Sequence, residues 1–188
     1  MNNYEYIIAS LPLPGKDADL DADAILTSIR EALSARDQKF MDCLTDSFVP
    51  EKMTPELYTR ALSSGNSFLR DYLSWDLGVR NTKVEYLNQS LGRPEGTDVV
   101  EIPGLPGFEG HDAVASVLAT DDILARERGL DELMWSKAEE LASLHVLDLD
   151  VILSIIVKLK INDRWNKLDP STGRSLFRRL VDEIRQTR

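Results

Sequence analysis

Residues 148–161 read DLDVILSIIVKLKI, and this stretch decides the fold of the chain. Its apolar residues fall on nearly every side of a helix, which is typical of a helix buried in a core. A strand is the alternative, because β-branched residues are frequent here. We favour the helix, since the apolar pattern continues through Leu159 and Ile161 without a turn signal.

Outside this stretch, apolar residues again recur at helical spacing, behind start signals such as Ser34, the pair Thr54-Pro55 and the pair Asp121-Asp122. Two glycines are expected to interrupt helices, with a bend near Gly78 and a stop at Gly129. The residue types alternate along residues 4–8, and this alternation would also allow an extended segment that lies on the core. We therefore predict an all-α fold with helices over residues 24–33, 34–44, 56–62, 66–73, 76–91, 113–118, 121–128, 131–144 and 148–160, and a last helix after Asp169-Pro170.

A change in composition divides the chain. Five of the ten glycines and three of the eight prolines fall between residues 91 and 110, which predicts a loop. A loop of this length inside a compact domain is unusual and tends to be a linker or a functional loop. We predict an N-terminal helical lobe over residues 1–90 and a C-terminal helical lobe over residues 111–188. A surface insertion within one domain is the alternative.

Charge and hydropathy restrict the classes of function. The net charge of −10 opposes nucleic-acid binding, which depends on neutralising phosphates with Lys and Arg. Residues 151–188 nevertheless carry nine basic and four acidic residues, so that this end is basic and the rest is acidic. The apolar runs are shorter than the roughly 20 residues of a membrane-spanning helix. The first residues have no basic n-region of a signal peptide, so we expect a cytoplasmic protein.

Motifs of known chemistry are missing from the sequence. The glycines after residue 103 do not have the spacing of a phosphate-binding loop, and no Lys follows them. His111 and His145 lie 34 residues apart and do not form a metal-binding pattern. We predict no metal, no cofactor and no enzymatic activity for the isolated chain.

Three segments carry a resemblance to a known family. Residues 4–12 read YEYIIASLP, residues 68–81 read FLRDYLSWDLGVRN, and residues 148–168 contain KLK and RW. Together they resemble a small family of uncharacterised bacterial proteins encoded in V/A-type ATPase operons. That family is similar to the C-type subunit of these ATPases, whose eukaryotic counterpart is the d-type subunit. The C-type subunit is an all-helical protein that joins the membrane rotor ring to the central stalk.

The resemblance implies a fold and a set of partners. It implies a two-lobed helical bundle like part of the C-type subunit, although that subunit itself is longer and has three lobes. The implied partners are the central-stalk and rotor-ring subunits, with membrane association only through the complex. The expected partner-binding residues are Trp75, Arg80, Asn81, Lys83, Lys158, Lys160, Arg164, Trp165, Arg178 and Arg179. The alternative is a small helical enzyme or ligand-binding protein with a pocket between the lobes, where His111 and His145 supply polar groups.

Overall fold

A computed structural model describes residues 4–16, 18–105 and 107–168. Within these ranges the chain is helical and contains no strand, so the all-α prediction is confirmed for the described part. A single turn of 3₁₀-helix lies at Pro50–Lys52. The α-helices are α1 Tyr4–Ser10, α2 Ala22–Ala32, α3 Ala35–Asp46, α4 Pro55–Leu62, α5 Ser67–Leu91, α6 His111–Leu118, α7 Ile123–Ala142 and α8 Leu149–Asn166.

Helix α8 forms the centre of the core, as the sequence predicts. It packs against α7, α3, α1, α2 and α5. Its side chains at Ile152, Leu153, Ile156 and Leu159 are 0% exposed. The helix begins where the Asp148 carboxylate accepts hydrogen bonds from the amides of the second and third residues after it, at 3.1 and 3.4 Å. The preference for helix over strand is therefore confirmed.

The first helix replaces the extended alternative for residues 4–8. Tyr4–Ser10 is helical, and its side chain Ile7 is buried against α8. The Tyr4 hydroxyl donates a 2.9 Å hydrogen bond to the buried carboxylate of Asp37 on α3. Packing on two neighbouring helices therefore decides the conformation of this short segment, and its alternating pattern does not.

Helix α5 is one continuous helix of 25 residues, so the prediction of two separate helices over residues 66–73 and 76–91 is wrong. A Cβ atom at Gly78 would lie 2.2 Å from Cδ2 of Phe108 in the loop. The missing side chain thus makes room for an aromatic ring against the helix backbone. Phe108 also packs edge-on against Trp75, with ring centroids 5.0 Å apart.

Helix α7 is likewise continuous, so the predicted stop at Gly129 is wrong. A Cβ atom there would lie 2.7 Å from Cγ1 of Val117, and glycine therefore allows α6 to approach α7 closely. The predicted start signal before it is confirmed, because Asp122 accepts hydrogen bonds from the amides of Leu124 and Ala125. Ser34 also caps α3, as predicted, because its hydroxyl oxygen accepts a hydrogen bond from the amide of Asp37.

The segment between α5 and α6 is a loop, as predicted, and side chains of α5 hold it in place. Asn81 donates to the carbonyl oxygen of Val100 at 2.9 Å and accepts from the amide of the same residue at 3.1 Å. Further along the helix, Asn88 donates to the carbonyl oxygen of Thr97 at 2.7 Å. The loop therefore lies along α5.

Helices on both sides of the loop contribute to one hydrophobic core: α5 packs against α6 and α7, and α3 packs against α8. The division into lobes at residues 91–110 stays a prediction, and these contacts favour the alternative of a surface insertion. Within the described residues, no helix is long and apolar enough to cross a membrane. The predicted last helix after Asp169-Pro170 lies outside the described residues.

Candidate binding cavity

A cavity of about 130 Å³ opens between α5, α7 and α8, and its wall is unusually rich in charge. Four cationic and three acidic side chains line it together with one tyrosine and several apolar residues. With every group charged, the wall carries an excess of one positive charge in a chain whose net charge is −10. The polar and charged residues of the wall are Tyr72, Asp76, Arg80, Lys83, Glu127, Asp131, Lys160 and Arg164.

Helix α5 supplies one side of the cavity through residues spaced four apart, which lie on one helix face. The Asp76 carboxylate is 6% exposed and accepts hydrogen bonds from Nε of Arg80 at 2.7 Å and from the Tyr58 hydroxyl at 2.8 Å. Burial, reinforced by the charge of Asp76, raises the pKa of Tyr58 far above its usual value, so this phenol stays a donor. Arg80 also donates to the carbonyl oxygen of Ser47 at 3.1 Å, which ties α5 to the end of α3.

Helices α7 and α8 supply the opposite side through a network of ion pairs. Arg164 on α8 reaches Oε2 of Glu127 at 2.7 Å and Oδ1 of Asp131 at 3.0 Å, and Lys83 of α5 pairs with the same Glu127. Burial alone would raise the pKa of Glu127, but Lys83 and Arg164 outweigh it and lower that pKa. For Asp131 burial prevails and raises the pKa, although Arg164 and the indole of Trp165 oppose it.

Two polar groups of the wall have no partner among the described residues. The Tyr72 hydroxyl is buried without a hydrogen bond, and its residue is only 1% exposed. An unsatisfied buried hydroxyl costs about 1–3 kcal/mol. Burial raises the pKa of Tyr72 well above its usual value, with Asp76 adding to the rise, so the hydroxyl stays neutral. The half-buried Lys160 forms no ion pair with any described carboxylate, unlike Lys83 beside it.

The structure brings together four of the residues predicted to bind a partner. Arg80 and Lys83 come from α5, whereas Lys160 and Arg164 come from α8, more than 70 residues later in the sequence. All four line this cavity. The sequence predicts each of these residues separately, from its positive charge. Their meeting at one place depends on the packing of α5 against α7 and α8.

The structure places the other predicted residues elsewhere. Trp75 packs under Phe108 and Asn81 binds the backbone of the loop. Lys158 pairs with Glu139 of α7 at 3.0 Å. Trp165 donates to Oδ2 of Asp131 at 2.8 Å beside the cavity, and the Arg128 guanidinium lies 4.0 Å from the centre of its ring. Arg178 and Arg179 lie outside the described residues.

The two histidines of the alternative interpretation lie on different elements, and neither lines the cavity between α5, α7 and α8. His145 pairs with Asp148 and lies 3.6 Å from Oδ2 of Asp150, in the turn before α8. That Asp150 is buried and also accepts from Asn66 at the start of α5. His111 is exposed at the start of α6. The described residues contain no group of three or more His, Cys, Asp or Glu side chains that could hold a metal ion.

Sequence reasoning missed the tyrosine and the acids of the cavity. Tyr72 has the spacing of a core residue, and Glu127 and Asp131 read as ordinary solvated acids. One signal was available, because charged residues four apart occur on three helices: Asp76 with Arg80, Glu127 with Asp131, and Lys160 with Arg164. Such pairs lie on one face of their helix.

Comparison with known proteins adds one similarity. Residues 104–188, less than half of the chain, match the model of a family described as "Protein of unknown function (DUF2764)". The matched region includes α6, α7 and α8 and therefore the acidic and basic residues that these helices give to the cavity. No curated protein and no solved structure matches this chain.

Proposed function

We propose that this chain is a non-catalytic binding protein, acting as a subunit or accessory factor of a bacterial V/A-type ATPase between the central stalk and the rotor ring. The observation that carries the proposal is the convergence of four predicted partner-binding cations on one cavity. The ATPase partner comes from the sequence resemblance, and the binding chemistry comes from the cavity.

The charge distribution supports an acidic partner. Most cations of the cavity are neutralised within the chain, whereas Lys160 has no carboxylate partner among the described residues. A half-buried, uncompensated ammonium offers a partner's carboxylate a stronger interaction than a fully solvated one does, because the local dielectric is lower. The chain as a whole has a net charge of −10, so the positive charge of Lys160 marks a place where an acidic surface can bind in preference to a basic one.

The test is co-purification with the ATPase. The full chain is tagged in cells that express the complex, and retained stalk and rotor-ring subunits are quantified. Charge reversal by Lys160→Glu should lower their recovery about ten-fold or more, because close charge pairs at interfaces couple by roughly 1.5–7 kcal/mol. Lys39→Glu is the matched control, since Lys39 is exposed on α3 and forms no ion pair with a described residue. Absence of stalk and rotor-ring subunits from the wild-type eluate would refute the proposal.

A further inference from the structure

The Tyr72 hydroxyl is a hydrogen-bond donor without an acceptor among the described residues. Its residue is 1% exposed and lines the cavity, and the charges that act on its titration belong to Asp76, Arg80 and Asp131, all of the same wall. Tyr72 is therefore part of the charged wall of the cavity. Buried hydroxyls normally have a partner, so a donor left alone in a cavity points to a ligand.

A second donor belongs to a residue that lines the same cavity. The Lys160 ammonium carries three N–H groups and forms no hydrogen bond with a described residue. A neutral hydroxyl and an ammonium thus supply donors that the acceptors of the described residues do not use.

The carboxylates of the wall are already occupied by donors. Asp76 accepts hydrogen bonds from Tyr58 and Arg80. Arg164 reaches Glu127 and Asp131, the two acids that α7 contributes to the wall. Lys83 and Trp165 complete the pairing of those acids. Acids that are neutralised in this way repel an entering anion weakly and offer little to a metal ion. The donors that remain without an acceptor can therefore bind a group that accepts hydrogen bonds and carries negative charge.

The volume limits the size of that acceptor. About 130 Å³ is less than the roughly 300–1,000 Å³ of sites that enclose drug-sized molecules, so only a small group fits. Carboxylate and phosphate groups are the small oxyanions that Lys and Arg donors recognise. We propose that this cavity is an oxyanion-binding site, in which the Tyr72 hydroxyl and the Lys160 ammonium bind the oxygens of a carboxylate or phosphate group.

The proposal is independent of the ATPase assignment, because it concerns the ligand chemistry of the cavity and can be tested on the isolated chain. The full chain is titrated with sodium phosphate and, separately, with sodium acetate, in chloride buffer of constant ionic strength, and the heat of binding is measured. Saturable binding of either anion is expected. Tighter binding of phosphate identifies a phosphate group as the ligand, and tighter binding of acetate identifies a carboxylate such as an acidic side chain.

Two variants locate the binding in the cavity. Tyr72→Phe removes one donor and keeps the ring, so the affinity for the preferred anion should fall about ten-fold or more. Without the anion, the same variant should melt at no lower temperature than the wild type, because its hydroxyl has no partner in the described chain. Lys160→Gln should weaken binding by a similar factor, and Lys39→Gln should leave it unchanged.

Three results would overturn the proposal. The first is the absence of saturable binding of both anions. The second is an affinity that Tyr72→Phe leaves unchanged, which would place the anion outside the cavity. The third is a lower melting temperature of the unliganded Tyr72→Phe protein than of the wild type, which would show that the hydroxyl already has a partner within the chain. Failure of the ATPase co-purification would leave all three measurements unaffected.

Discussion

Replacing Gly78 by alanine should have opposite effects on stability depending on whether Phe108 is present. The new Cβ atom would lie 2.2 Å from Cδ2 of the Phe108 ring, whereas carbon atoms in contact are normally about 3.5–4.0 Å apart. Either the loop must leave α5 or the helix must shift. Overpacking of this kind costs about 1–3 kcal/mol.

A second effect opposes the clash. Alanine favours a helix interior over glycine by about 1 kcal/mol, since it loses less backbone entropy on folding. In the wild-type background the two effects nearly offset or leave a net loss of up to about 2 kcal/mol. In a Phe108→Ala background the clash is gone, so Gly78→Ala should stabilise the protein by up to about 1 kcal/mol.

The assay is a double-mutant cycle with urea unfolding followed by helical circular dichroism. The expected coupling between the two sites equals the clash, about 1–3 kcal/mol. Gly107→Ala is the control, because a Cβ atom there meets no atom within 4 Å, and its effect should stay within about 0.5 kcal/mol. A coupling below about 0.5 kcal/mol would refute the docking of Phe108 on α5, since independent sites add to within that margin.

Three further perturbations test the core, the cavity and the turn before α8. Ile156→Ala should cost about 2–5 kcal/mol in urea unfolding, because Ile156 is 0% exposed, and a loss below about 1 kcal/mol would contradict its central position. Tyr58→Phe should cost about 1.5–3 kcal/mol, since it removes a buried hydrogen bond to the Asp76 carboxylate, and unchanged stability would show that this bond is dispensable. Asp148, through a side-chain hydrogen bond first and its charge second, raises the pKa of His145, which NMR titration should find above its usual value near 6.5. The resulting stabilisation should be complete below about pH 6.5 and lost as the pH rises through the raised pKa. Asp148→Asn should weaken this dependence and leave the smaller contribution of the Asp150 charge.

The sequence predicts the helices well where a local pattern carries the information. Helix α8 follows from residues 151–159, which are apolar on nearly every side, and the caps at Ser34 and Asp122 follow from side chains that bond to the next turn. Both errors concern helices that contain a glycine. Helix propensity alone places a bend at Gly78 and a stop at Gly129, but packing against residues distant in the sequence keeps both helices intact.

Only some residues of the candidate site can be predicted from the sequence, because its composition again depends on packing between distant residues. The four cations draw attention because they stand out by charge in an acidic chain. Tyr72 does not, because a buried tyrosine with a bonded hydroxyl and one with a free hydroxyl have the same sequence pattern. The difference depends on which groups of α7 and α8 lie across from it, and these are fixed only when the three helices pack.

The central position of α8 also has a consequence for synthesis on the ribosome. Helices α1, α2 and α3 are made first, yet each packs against α8. About 120 residues separate the end of α3 at Asp46 from the end of α8 at Asn166. At about 5–20 residues per second, the ribosome needs roughly 6–24 s to make them. During that time part of the apolar surface of the early helices stays open to water, so the nascent chain is a substrate for chaperones until α8 emerges.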